Sequence, residues 1–187
     1  EFLNKYLYSV QFEGKPKNFG DDFFNQNGSI KTESPLFKNW FGKSKMKNAD
    51  GTPQVLYHGT TASFDRFDLD NPNKYDMGFL GKGIYLTLNE GHAKRYARQK
   101  SVRTNAKEAD RVVMPLYVRL ENPYRETDRK TKQRIKEGGI AARNNYKNKL
   151  ISEGYDGVLM INPTTNEITE VVVFDPNAVK SVNNKGS

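Results

Sequence analysis

The sequence predicts an α+β domain with mainly antiparallel strands, on three observations. Ser34-Pro35 opens and Gly42 closes a short segment whose Leu36, Phe37, Trp40 and Phe41 are apolar, the signature of a capped helix. Val158-Leu159-Met160-Ile161 is followed by a turn and then by Ile168-Thr169-Glu170-Val171-Val172-Val173-Phe174, a β-hairpin pattern. Between them, the glycine-rich stretch Gly78-Phe79-Leu80-Gly81-Lys82-Gly83 leads into a β-type run, Ile84-Tyr85-Leu86-Thr87, and then directly into a helical pattern.

In chain order, residues 1 to about 33 hold aromatics without a period, among them Phe2, Tyr6, Phe12, Phe19 and Phe24, interrupted by Gly14, Pro16, Gly20 and Gly28. They read as an N-terminal extension, and residues 34–187 as the domain proper. After the first helix, Asp50-Gly51 turns the chain into a strand, Gln54-Val55-Leu56-Tyr57-His58-Gly59-Thr60. Residues 61–77 form a polar loop whose composition suits a flap over a site. At the glycine-rich stretch the backbone can turn tightly or approach another group closely. Asn89 is a good N-cap, and Ala93, Tyr96 and Ala97 follow at helical spacing, predicting a helix to about Lys100. Residues 101–110 are polar and read as a loop. Residues 111–120 read as a strand, with Pro115 pointing to an edge or a bulge and Asn122-Pro123 to its end. Residues 125–149 carry nine Lys and Arg side chains and read as two helices broken at Gly138-Gly139, with a solvated charged face. Gly154-Tyr155-Asp156-Gly157 introduces the hairpin, Asn162-Pro163-Thr164-Thr165-Asn166 turns it, and Ala178-Val179-Lys180-Ser181-Val182 reads as a last short strand.

Composition narrows the chemistry. The absence of cysteine excludes disulfides, thiolate nucleophiles and zinc–thiolate sites. Two histidines, His58 and His92, are too few for a histidine-rich metal site, so no metal is expected. No apolar run is long enough to span a bilayer, and no membrane association is expected. The start lacks a basic segment followed by an apolar one, so no signal peptide is read; it opens on Glu1, which suggests a piece of a longer protein. A net charge of +8 suits nucleic acid, an anionic cofactor, an acidic partner or simply a soluble surface.

Three residues stand out chemically. His58 ends a strand beside Gly59 and Thr60, where an imidazole either overhangs a cleft or forms a structural hydrogen bond. Tyr85 follows the glycine-rich corner and, with Tyr96 on the next helix, either makes a slot for a flat ring or pads the core. Glu170 interrupts an apolar, β-branched strand; inward it is costly to bury and marks function, outward it is an ordinary surface carboxylate.

Together, Tyr57-His58-Gly59-Thr60, Gly81-Lys82-Gly83-Ile84-Tyr85 and Glu170 before Val171-Val172-Val173-Phe174-Asp175 resemble the His-Tyr-Glu signature of diphtheria-toxin-like and poly(ADP-ribose)-polymerase-like ADP-ribosyltransferases. The separation of Tyr85 and Tyr96 is similar to that of the family's nicotinamide-sandwiching tyrosines. Trp40-Phe41-Gly42 and Asp156-Gly157-Val158 resemble segments of the ADP-ribosyltransferase domains of bacterial and phage polyvalent proteins. The resemblance covers residues 34–182.

It implies a fold of split β-sheets around an NAD cleft, with peripheral helices. It also implies roles. His58 bonds the adenosine ribose of NAD, the Gly59 backbone holds the nicotinamide carboxamide, and Thr60 lies near the ribose. Tyr85 and Tyr96 stack on the two faces of the nicotinamide ring. Phe64, in the 61–77 loop, belongs to the cofactor-binding set. Glu170 bonds the nicotinamide ribose and stabilises positive charge as the glycosidic bond breaks. His58, Tyr85 and Glu170 form the catalytic triad. The polymerases carry Lys and Ser where His92 and Ala93 stand, so Ala93 occupies a carboxamide-binding position without a hydroxyl to offer.

The resemblance implies an NAD-dependent mono-ADP-ribosyltransferase, an effector or toxin acting in the cytoplasm of the producing or a target cell. The small size and the lack of a counterpart to the polymerases' helical regulatory domain favour single transfer over chain growth. Arginine-modifying families carry Glu or Gln two residues before the catalytic Glu; Ile168 stands there, which argues against arginine. A protein acceptor and an RNA or DNA acceptor both stay open, the basic 125–149 run favouring phosphate contacts. The alternatives are NAD hydrolysis and a non-catalytic nucleic-acid-binding module.

Overall fold

In the computed structural model, residues 30–62, 64, 66–70 and 78–183 are described. Among them, seven strands form two sheets. The first has the order β1 (Leu56–Thr60), β3 (Val112–Val118), β7 (Val179–Ser181), all antiparallel. The second has the order β2 (Ile84–Leu86), β6 (Ile168–Val173), β5 (Gly157–Ile161), β4 (Pro123–Glu126), antiparallel except for the parallel β4–β5 pair. The expected α+β class with split, mainly antiparallel sheets is the observed one.

The sheets join where β1 passes β2. Tyr57 gives its N–H to the carbonyl of Thr87 at 2.8 Å and accepts from the Thr87 N–H at 3.0 Å, an isolated two-residue bridge. Side-chain alternation then sorts the core. Ile84, Leu86, Val171 and Val173 face the first sheet and pack with Leu56, Leu116 and Val118. Tyr85, Val172, Val158 and Met160 face the other way, toward Leu80 and Leu150.

Helix α1 (Pro35–Phe41) ends as its sequence says. The Ser34 hydroxyl accepts from the Phe37 N–H at 3.1 Å, and the Gly42 N–H closes the last turn on Lys38. Phe37 sets its ring edge-on to buried Tyr117 of β3, 5.2 Å between centroids, and the Trp40 indole N–H donates to the Asn177 carbonyl at 3.3 Å. Trp40 of the Trp-Phe-Gly segment thus ties α1 to the turn that precedes β7.

Two sequence expectations need correction. Helix α2 (Glu90–Thr104), capped by Asn89, does not stop at Lys100; it runs until Asn105 turns left-handed at φ 53°. Ser101 continues the buried face of Ala93 and Ala97, its hydroxyl accepting from Arg111 Nε at 2.9 Å, so a polar stretch hides a helical period. Pro115 sits in the central strand of its sheet, at neither an edge nor a bulge. It faces Tyr57, whose backbone groups already serve Thr87, and its carbonyl accepts from Val182 just past the end of β7. The missing N–H would have served the Val182 carbonyl, which accepts from the Ile30 N–H at 3.0 Å instead, so no acceptor is left open. Asn122-Pro123 follows the end of β3 as expected, and a new strand starts there. Asp156 Oδ2 accepts from the N–H groups of Glu121 at 2.6 Å and Asn122 at 3.1 Å, and Pro123 starts the edge strand β4. Proline is tolerated at the first residue of such a strand.

The basic segment forms α3 (Arg129–Glu137) and α4 (Gly139–Ser152), broken at Gly139 with φ 67° as the glycine pair suggests. Among the described residues, no helix is long and apolar enough to cross a membrane. The aromatic N-terminal extension lies outside the described residues except for 30–33, where Ile30 pairs with Val182.

Candidate active site

His58 lies on β1 next to the bridge between the sheets. Its Nδ1 is 2.8 Å from the Tyr85 carbonyl oxygen. A carbonyl only accepts, so Nδ1 carries a proton and donates it to this bond. The described part of the 61–77 loop packs here: Phe67 stands edge-on to the imidazole at 5.1 Å and Phe64 at 6.4 Å, with 4.8 Å between the two phenyl rings. Residues 63, 65 and 71–77 of that loop lie outside the described residues.

Gly59 lets α2 approach β1. A Cβ there would lie 2.0 Å from the Ala93 carbonyl oxygen and 3.1 Å from the Ala97 N. Ala93 is buried against it at 1% exposure, so this pair seats the helix. Thr60 is equally buried, and its hydroxyl oxygen accepts from the Ala62 N–H at 3.3 Å and from Lys100 Nζ at 3.5 Å.

Tyr85, in the middle of β2, is held at its tip. Its hydroxyl accepts from the Leu80 N–H at 2.8 Å and donates to the Gly81 carbonyl at 3.0 Å. The preceding turn hugs the ring so closely that a Cβ on Gly78, itself at φ 53°, would fall 2.1 Å from Tyr85 Cζ. Across the sheet Tyr85 pairs with Val172, and Glu170 lies two residues before Val172 on β6. Tyr85, Val172 and Glu170 thus project from one face.

A register shift sets that phase. Met160 pairs with Glu170 but Ile161 pairs with Ile168, leaving Thr169 as an extra residue. Without the bulge, Ile168 and Glu170 would share a face; with it, Ile168 joins the inter-sheet core while Glu170 keeps to the Tyr85 side. Glu170 is half-buried, and its Oε1 accepts from the Tyr96 hydroxyl at 3.4 Å. The Tyr96 ring is 53% exposed on the flank of α2. The fold therefore draws together His58 with Tyr85 and Tyr96 with Glu170, with Gly59 set against Ala93 of α2 and Phe64 beside His58.

Sequence reading missed Phe67, whose only signal was its spacing of three from Phe64. It also missed that the basic run turns partly inward: Arg143 donates to the Gly78 carbonyl at 2.9 Å and Lys147 to the Lys82 carbonyl at 2.6 Å. These two cations bind the turn that carries Tyr85 and are not part of a solvated face. A separate open groove of about 790 Å³ runs along α2, lined among others by His92, Lys94, Arg95, Arg98 and Arg111. Among the described residues, no group of three His, Cys, Asp or Glu side chains could hold a metal ion.

A search of curated proteins returns no match. A family model described as ADP-ribosyltransferase in polyvalent proteins matches residues 48–187, well over half of the chain. Helix α1 precedes that segment yet packs on it. With the His58, Tyr85 and Glu170 motifs inside the matched segment and split sheets around them, the chain belongs to the ADP-ribosyltransferase domains of polyvalent proteins.

Proposed function

We propose that this domain transfers a single ADP-ribose unit from NAD to a macromolecular acceptor and releases nicotinamide. The observation that carries the reading is the Tyr96–Glu170 contact on the face of the sheet that also presents Tyr85. The residues present suit NAD: an exposed tyrosine ring beside a half-buried carboxylate offers a stacking surface next to an anionic stabiliser, and the His58 imidazole offers a ribose partner. NAD supplies a glycosidic bond to a positively charged pyridine. When that C–N bond breaks, its electron pair leaves with nicotinamide and positive charge develops on the ribose carbon. Glu170 stabilises that charge and bonds the ribose hydroxyl. The acceptor's lone pair then forms the new bond and its proton is lost. Tyr85 and Tyr96 hold the nicotinamide ring, His58 the adenosine ribose, the Gly59 backbone and the Thr60 and Ala93 region the carboxamide side, and Phe64 the edge. Ala93 brings no hydroxyl, so the carboxamide relies on the backbone.

We place the catalytic domain at residues 34–187, because α1 is packed onto β3. A protein acceptor and an RNA or DNA acceptor are both compatible; the cationic groove along α2 favours a phosphate-bearing one. The test is incubation with NAD labelled on the adenine-side phosphate and cell lysate, beside Glu170→Gln. A labelled band removed by protease identifies a protein acceptor, and one removed by nuclease identifies a nucleic acid. Free ADP-ribose without a band means hydrolysis. No NAD consumption supports the binding-module alternative and overturns the proposal.

A further inference from the structure

The 78–83 turn is gripped from two sides. On its inner side is the Tyr85 hydroxyl, bonded to the Leu80 N–H and the Gly81 carbonyl. On its outer side are side chains from α3 and α4. Arg143 donates to the Gly78 carbonyl at 2.9 Å, and Lys147 to the Lys82 carbonyl at 2.6 Å. Asn144 lies against Gly81, where an added Cβ would come within 2.8 Å of its Oδ1. Lys132 Nζ stands 5.4 Å from the Phe79 ring centroid.

The outer grip is held at a cost. Burial, and then the neighbouring Lys82 cation, push the Lys147 ammonium below its usual range. Arg143 Nε is buried without a hydrogen-bond partner. A surface whose only task was solubility would keep such cations in water. The hold also extends outward, since Lys82 Nζ pairs with Asp70 at 2.6 Å at the end of the described loop segment.

We propose that Arg143 and Lys147 are positioning residues for Tyr85, locking the 78–83 turn so that the phenol ring keeps its place at the cleft. The proposal rests on the reading of Tyr85 as a nicotinamide-stacking residue. The basic helical pair is thereby a brace for the site, with its remaining cations left to solvent.

Two readouts test it. In Arg143→Ala/Lys147→Met, hydrogen exchange at the Leu80 amide should speed up by about tenfold or more, while amides of β5 and β6 keep their rates. In NAD turnover the same variant should raise KM by about tenfold with kcat within about threefold, and adding Tyr85→Phe should cause little further loss. If the double variant does not fold, Lys147→Met alone must still speed exchange in the turn. Unchanged exchange overturns the brace, and faster exchange with unchanged KM and kcat overturns the positioning role. A wild-type protein that does not consume NAD defeats the functional reading instead; the exchange result then judges the brace by itself.

Discussion

His58 donates from Nδ1 to the backbone carbonyl of Tyr85 across the seam where the two sheets join, a 2.8 Å bond between a side chain of one sheet and the main chain of the other. One bond therefore fixes three things: the orientation of the imidazole, the proton on Nδ1, and the separation of the strands that carry two members of the proposed triad.

The two ring nitrogens are separable by substitution. An asparagine amide mimics the reach of Nδ1, and a glutamine amide that of Nε2. His58→Asn should keep stability near wild type yet raise KM for NAD by about tenfold, since the ribose partner is gone. His58→Gln should leave the Tyr85 carbonyl without its donor and lower stability by about 1 kcal/mol. Urea midpoints and NAD turnover kinetics on both variants check this.

Gly59→Ala should be a packing lesion. The new Cβ meets the Ala93 carbonyl at 2.0 Å, and this is backbone that cannot swing aside. Forcing α2 off β1 should lower stability by about 1–3 kcal/mol. A fall in the urea midpoint, with the rate of NAD consumption falling as Tyr96 moves away from Glu170, is the expected outcome.

Local signals made much of the fold legible. Ser34, Pro35 and Gly42 mark both ends of α1, Asn89 marks the start of α2, and the β-branched run at 168–173 forms the hairpin with β5. His58, Tyr85 and Glu170 stand out as candidates because their motifs occur in the order that the family resemblance requires. What stayed hidden depends on partners distant in sequence. Pro115 reads as an edge residue until Ile30 is seen to satisfy the Val182 carbonyl. The bulge at Thr169 decides which face Glu170 takes, and no alternation pattern reveals it. Arg143 and Lys147 look like any charge run until the carbonyls of Gly78 and Lys82 come to them.

A buried carboxylate–phenol pair links β4 to α4 and should show in the alkaline stability profile. Glu126 is 2% exposed, and its two oxygens accept from the Tyr146 hydroxyl at 2.6 Å and the Asp128 N–H at 2.8 Å. Burial, followed by the hydrogen bond to Glu126, pushes the Tyr146 hydroxyl well above its ordinary range. A raised folded value means the contribution is fully present below about pH 10 and is lost as pH rises through the folded value. Tyr146→Phe should therefore cost about 1–2 kcal/mol near neutral pH, and its gap to wild type should narrow above about pH 10. Denaturant midpoints across that range measure the gap.

Tyr96→Phe removes the hydroxyl that reaches Glu170 at 3.4 Å and keeps the ring. If the ring stacks and the hydroxyl only steadies the carboxylate, kcat should fall by about fivefold with KM for NAD nearly unchanged. A large rise in KM instead would assign the hydroxyl to substrate binding.

The central claim is that Glu170 stabilises the charge that develops as nicotinamide leaves, and release of nicotinamide from NAD by wild type and Glu170→Gln tests it most directly. The expected result is release by the wild type and a loss on the order of a hundredfold or more in the variant, with an unchanged circular dichroism spectrum. Equal rates in the two proteins would contradict it.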